Sequence, residues 1–166
     1  VDRKLLPRRA CVDTVVLILG LGDSKDPRAA SCRAFFEAME EAGGKILIAA
    51  PTIAEYLRDG QRTALPRIAG IEPIAFDDKA AEVLARDFPA TILKKTHKDS
   101  GLEYDYIKYD AMIVACAVRH RAEHLVTLDR QQTGLAERIG LKVRKPADYE
   151  ARQLSLPGPD PKVGSE

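Results

Sequence analysis

The chain has almost no excess of either charge: 26 Lys and Arg stand against 25 Asp and Glu, a net +1 at pH 7. No bulk basicity therefore advertises nucleic acid, although local patches rather than totals decide binding. Long apolar runs are missing as well. The longest fall far short of the roughly 20 residues a membrane-spanning helix needs, so no membrane partner is expected. Cysteine is scarce and odd in number, Cys11, Cys32 and Cys116. Their spacing matches no zinc pattern, and they read as buried, reduced thiols of a cytoplasmic protein. No internal repeat recurs, and the opening Val1-Asp2-Arg3-Lys4 has no signal-peptide character. What remains is an ordinary globular composition, 45% hydrophobic and 31% charged, in a chain long enough for one domain with a real core. That domain is expected over residues 8–150. Residues 151–166, with LPGPDPKVGSE from Leu156, read as a flexible tail.

The stretch from Tyr104 to Arg130 organises the rest. Asp110 precedes an apolar run, Ala111 to Val118, which reads as a buried helix with the acid near its first turns. Leu125 to Leu128 follows as a short strand closed by Asp129. Upstream, Ala10 to Asp13 ends a first strand, and the unbroken apolar run Thr14 to Leu21 fits either more strand or a short buried helix. Pro27 to Ala42 reads as a helix with Asp26 as N-cap. Lys45 to Ala49 is a second strand. A helix from Pro51 carries Glu55 about one turn in, stops at Asp59-Gly60, and leaves room for a short helical piece to Ile68. Ile71 to Phe76 is a third strand, placed at an edge by Pro73. Asp77 caps a helix to Asp87. Phe88 to Leu102 is undecided, its Lys94–Lys98 cluster suggesting an exposed loop or helix end. Gln131 to Ile139 is the last helix and Leu141 to Arg144 the last strand. Such alternation predicts a three-layer α/β/α sandwich with a mainly parallel central sheet.

In such sheets ligands bind beyond the carboxyl ends of the strands. Asp13 and Asp129 end strands, Glu55 lies on the helix after the second, and Asp110 on the helix that returns to the fourth. All four are expected to converge at one edge. Taken singly, each has a plainer explanation, since Asp129 could simply cap the last helix. His97 and His124 read as surface residues. Arg119-His120-Arg121 reads as compensation of a helix C-terminus, and Tyr104, Tyr106 and Tyr109 as packing around a helix start.

In order, the motifs resemble PIN-domain ribonucleases, the fold of VapC-type toxins in toxin–antitoxin pairs. The family pattern of an Asp-Thr-Asn-hydrophobic run is met by Asp13-Thr14-Val15-Val16. A Glu on the helix after the second strand is met by Pro51-Thr52-Ile53-Ala54-Glu55, an Asp before small and aliphatic residues by Asp110-Ala111-Met112-Ile113, and Thr-X-Asp after a strand by Thr127-Leu128-Asp129. Val15 departs from the family's Asn, and Leu128 from a frequent Asn or Asp. The resemblance implies that Val15 begins a short helix. It further implies a metal-dependent endoribonuclease. Mg²⁺ or Mn²⁺ suits a hard oxygen donor set, with Asp13, Asp110 and Asp129 on the metal and Glu55 holding a water or acting as general base. Thr14 and Thr127 would orient carboxylates or waters. Arg58, Arg62, Lys94, Lys95, Lys98 and Arg130 are candidates for gripping RNA from the rim. The implied partners are RNA, an antitoxin protein and a second copy of the chain.

Other classes compete. The chain could be an inactive PIN-like module that binds RNA or protein, or a PIN nuclease of RNA processing with no antitoxin. A phosphotransfer fold would also place an Asp at a strand end. A haloacid-dehalogenase-like phosphatase usually has a second Asp two residues on, where Val15 stands. A receiver domain needs an acidic pair before its first long helix and a well-placed late Lys, and neither is evident.

Overall fold

A computed structural model of the protein describes residues 5–58 and 62–150. The expectations for the first four residues, the Asp59-Gly60 helix stop and the tail from 151 lie outside the described residues. Five strands, β1 (Arg9–Val12), β2 (Lys45–Ala49), β3 (Ile71–Ile74), β4 (His124–Val126) and β5 (Lys142–Arg144), pair in parallel in the order β3-β2-β1-β4-β5. Cys11 of β1 sits between Leu47 of β2 and Leu125 of β4. The chain winds from β1 outward through β2 to β3, then crosses back to place β4 on the other side of β1. The order reverses there, so the crevice between the ends of β1 and β4 is the topological switch point.

Side chains alternate across the sheet, as the pleat requires. Ala10, Val12, Ile46, Ile48 and Val126 face one core, shared with α1 (Thr14–Leu21), α2 (Ala29–Glu41) and Tyr149. Cys11, Leu47, Ala49, Ile74 and Leu125 face the other, shared with α4 (Asp78–Asp87), α5 (Ala90–Ser100), α6 (Tyr104–Arg119) and α7 (Arg130–Arg138). Burial on both faces is what a parallel sheet with helical crossovers demands. The α6 helix packs against α4, α5 and α7, burying Ala111 and every residue from Ile113 to Ala117. A helix enclosed in this way has no polar face, hence the apolar run after Asp110. The helix α3 (Ala50–Arg58) follows β2 without a break and buries Pro51, Thr52 and Tyr56. Pro73 lies on the edge strand β3.

Several expectations need correction. The α2 helix begins at Ala29 rather than Pro27. Asp26 does not cap it; its side chain accepts the Arg28 N–H instead. Glu55 lies about one turn into α3, as expected, but no helix forms over residues 62–70. The undecided segment is α5, closed at Gly101 with φ +70°, so of the two expectations for Lys94, Lys95 and Lys98, exposed loop or helix end, it is the helix that forms. Tyr106 and Tyr109 do not pack; they are 53% and 37% exposed, whereas Tyr104 lies against the core. Arg119 pairs with Asp77 and His120 bonds the Ala75 carbonyl, so this cluster ties α6 to the loop before α4.

His124 is also not on the surface. It is buried, with Nδ1 2.7 Å from the Tyr149 hydroxyl, and Tyr149 stacks on Phe35. Burial, with Lys142 and Arg144 nearby, pulls its pKa down to about 4. Between its ordinary value near 6.5 and that depressed value, the unfolded chain takes up a proton that the folded chain refuses. The His124 contribution to stability is therefore complete above pH 6.5 and lost as pH falls toward 4. Replacing His124 with Gln is expected to flatten the decline in urea midpoint between pH 7 and pH 5. An unchanged slope would assign that decline to other groups.

Candidate active site

Asp13 is the first residue beyond β1. Its backbone N–H still bonds Val126 of β4 at 3.2 Å, and its buried side chain caps α1. Oδ1 accepts the Val16 N–H at 2.6 Å. Oδ2 accepts the Thr127 hydroxyl and, at 3.2 Å, the Leu128 N–H. The Thr127 oxygen in turn accepts the Asp129 N–H at 2.9 Å. Asp129 caps α7, its Oδ1 accepting the Gln132 N–H at 2.9 Å. One chain of hydrogen bonds thus runs across the switch point and fixes the loop after β4 to the loop after β1. The Thr14 hydroxyl donates to Glu55 Oε2, joining α1 to α3. The Gln132 amide nitrogen reaches Asp110 Oδ1 at 3.4 Å, joining α7 to α6.

These bonds frame a cleft of about 340 Å³ lined by Asp13, Glu55, Asp110 and Asp129. Thr14 and Gln132 also line it, and Val15, Leu102, Tyr106 and Ile113 form its apolar wall. Thr127 is buried beneath, holding Asp13. Of the six basic residues considered for RNA, none lines this cleft. Arg130 lines an adjoining one with Arg28 and Lys145, which shares Asp129 with the first. Arg58 ends α3, and Arg62 lies 4.7 Å over the Tyr56 ring. Lys94, Lys95 and Lys98 are exposed on α5.

The electrostatics follow from the hydrogen bonds. Asp110 is pushed up to about 7, first by burial and then by the charges of Asp129, Glu55 and Asp13. Burial also raises Asp13, against the Thr127, Val16 and Leu128 bonds that favour its ionised form. Asp110 has only the long Gln132 bond to offset the repulsion. The buried free thiols stay protonated: burial raises Cys11 and, to about 11, Cys32, both near Asp13, and raises Cys116, farther along α6, to about 12.

Gln132 was not among the residues singled out from sequence. It is buried, and its Oε1 has no partner among the described residues. The signal was the spacing Asp129-x-x-Gln132, an N-cap with a Gln at N3. In the usual box that Gln turns back to the cap; here it reaches Asp110.

Could these residues hold a divalent cation? Among the described residues, no group of three or more His, Cys, Asp or Glu side chains is arranged to hold a metal ion. A small hard cation that keeps most of its waters does not need such a cage; one or two carboxylates suffice. Asp110 Oδ2, Asp129 Oδ2 and Glu55 Oε1 receive no hydrogen bond from the described residues. The donor set is all oxygen, and Asp110, raised first by burial and then by its three acidic neighbours, is the carboxyl whose ionised form a cation would favour most. The residues therefore fit Mg²⁺ or Mn²⁺.

The PIN domain family model matches residues 10–138, and the chain belongs to that family. PIN domains are generally nucleases, hydrolases of phosphodiester bonds. No curated protein matches the chain. Among the described residues no helix is long and apolar enough to cross a membrane.

Asp110→Asn tests the electrostatics without reference to activity. Because the folded pKa is raised above the unfolded one, Asp110 sits protonated and harmless at low pH, and it costs stability as pH rises through about 7. The cost accumulates from about pH 4 to about pH 7, so in EDTA the variant should melt a few degrees above the wild type at pH 8 and close to it at pH 4. An equal Tm difference at both pH values would remove Asp110 from the repelling cluster.

Proposed function

We propose that the protein is a metal-dependent endoribonuclease of the cytoplasm, its nuclease domain spanning residues 8–150. The observation that supports this most directly is that four carboxylates from four separate segments line one cleft at the switch point of a PIN-domain chain. Asp110 and Asp129, each with an oxygen free of protein donors, would hold Mg²⁺ or Mn²⁺. Asp13 supports them from below with its remaining lone pair. The cation supplies charge that offsets the repulsion and favours an ionised water near neutral pH.

Hydrolysis needs a water aligned against phosphorus and a group to take its proton as the P–O bond to the departing ribose oxygen breaks. Glu55, steadied by the Thr14 hydroxyl, is placed for that proton, since one of its oxygens is engaged and the other faces no donor. Thr127 positions Asp13 and the Asp129 backbone and touches no substrate itself. Asp13 has a second, structural duty. Asn keeps one acceptor oxygen but turns the other into a donor, so either the Val16 N–H or the Thr127 and Leu128 donors lose their acceptor, and Asp13→Asn is expected to lower stability as well as activity.

RNA cleavage is expected to need Mg²⁺ or Mn²⁺, to stop in EDTA, and to fall by at least about 10²-fold in Asp110→Asn. Purified wild type and variant, compared on labelled RNA with and without EDTA, decide this. Cleavage at equal rates by both would assign the activity to another site or a contaminant, and metal-independent binding without any cleavage would favour the inactive module.

The regulatory reading is that of a toxin held by an antitoxin, acting as a homodimer. The antitoxin is supported by the acidic cleft itself, which a guanidinium could enter and neutralise in place of a cation; the homodimer rests on the family resemblance alone. Expression of the wild type alone is expected to arrest growth, and Asp110→Asn is not. Equal, unimpaired growth of both strains, with no loss of any RNA, would leave a PIN nuclease of RNA processing as the better reading.

A further inference from the structure

Large apolar side chains are exposed at only six positions among the described residues: Leu5, Val15, Ile68, Leu102, Tyr106 and Tyr109. Three of them, Val15 at 41%, Leu102 at 42% and Tyr106 at 53%, line the cleft that holds the carboxylates. Their placement follows from helix geometry. Tyr106 stands four residues before Asp110 and seven before Ile113, so all three share one stripe of α6, and all three line the cleft. Leu102 precedes the helix on the same side, and Val15 reaches in from α1. Tyr106 packs in neither core, and its hydroxyl has no partner among the described residues. An aromatic ring kept out of both cores and set one helical turn from a carboxylate has no structural duty that its surroundings explain.

We propose, resting on the nuclease reading above, that Tyr106 with Leu102 and Val15 forms a nucleobase subsite, where one unpaired base of the RNA stacks beside the phosphate being cut. The carboxylates handle a phosphate, and a base is tied to that phosphate by one ribose. A surface for the base must therefore lie within a nucleotide of the acids, and the Tyr106 ring does. Every base offers a π-face, so stacking is tolerant of sequence. A base inside a duplex has both faces covered by its neighbours, and its release costs unstacking and unpairing. The subsite therefore selects single-stranded or looped RNA. The cleft volume of about 340 Å³ lies at the small end of ligand pockets and suits one nucleotide rather than a helix of any kind.

The test is a double-mutant cycle between ring and base. Binding of short single-stranded RNA to the full chain carrying Asp110→Asn is measured by anisotropy, with Tyr106→Ala and Tyr106→Phe added in turn. An abasic residue is walked through the RNA. Tyr106→Ala is expected to weaken binding roughly 5- to 150-fold, the span of base–aromatic stacking, and Tyr106→Phe by less than about 2-fold. At one position the abasic residue should reproduce the Tyr106→Ala loss and add nothing to it. The salt dependence of binding should keep its slope, because stacking releases no counterions. Fully paired RNA should be unaffected by the Tyr106 variants. Independent, additive losses at every position would overturn the subsite, as would equal losses for duplex and single strand. A Tyr106→Ala protein that binds and cleaves RNA normally but no longer holds a co-purified protein partner would assign the apolar lip to that partner instead. Failure of the nuclease reading looks different: ring and base remain coupled in binding while no metal restores cleavage to the protein with Asp110 intact.

Discussion

Everything at this site hangs on the buried carboxylate of Asp13. The strand it ends is central, and the strand beside it, β4, is only three residues long. Three ladder residues do not fix the direction of the chain that leaves them. Asp13 does so by accepting from Thr127 and Leu128 beyond β4 while capping α1 with its other oxygen. The Val16 and Thr127 donors are buried, so losing their acceptor would leave polar groups unsatisfied at about 1–3 kcal/mol apiece. The same anchoring sets the start of α7, because the Thr127 oxygen receives the Asp129 N–H. A residue that resembles a catalytic acid in sequence is therefore also the tie between two crossovers of the sheet.

The four acids are unequally provided for. Asp13 has three donors, Glu55 has Thr14, and Asp129 has a backbone N–H of α7. Asp110 has one long bond from a glutamine whose own carbonyl is orphaned in the interior. The repulsion accordingly collects on Asp110, on a helix walled in by α4, α5 and α7 that cannot swing away. Rigid packing of α6 turns like charge into a standing demand for a cation or a proton.

The sandwich was legible because both signals it needs survive in the local sequence. Short strands of three to five mostly apolar residues alternate with helices, and Pro73 marks an edge. Ordered motifs singled out the four acids as well. What was not legible depends on neighbours distant in the chain. TVVLILGL lacks a polar face, so its period cannot separate strand from helix; the cap from Asp13 settles it. The α5 segment has a single buried residue, Leu93, too little for a visible stripe. His124 is buried on β4 between β1 and β5, where its ring meets Tyr149 from 25 residues on. Gln132 gains meaning only once α7 lies beside α6.

The two departures from the family pattern have different weights once the side chains are placed. Leu128 contributes to the Asp13 network through its backbone N–H, which any residue but proline would supply. Its side chain leans on the core instead. The substitution therefore leaves the anchoring of Asp13 untouched. Val15 is different. It is exposed at the mouth of the cleft, where an amide would have offered a donor and an acceptor to solvent or substrate. Valine offers neither and adds apolar surface next to Leu102 and Tyr106. Polar capacity is lost at the point where the cleft meets its ligand, while the carboxylates below are unchanged. A change of this kind alters which part of a ligand the cleft grips rather than which bond its acids can break.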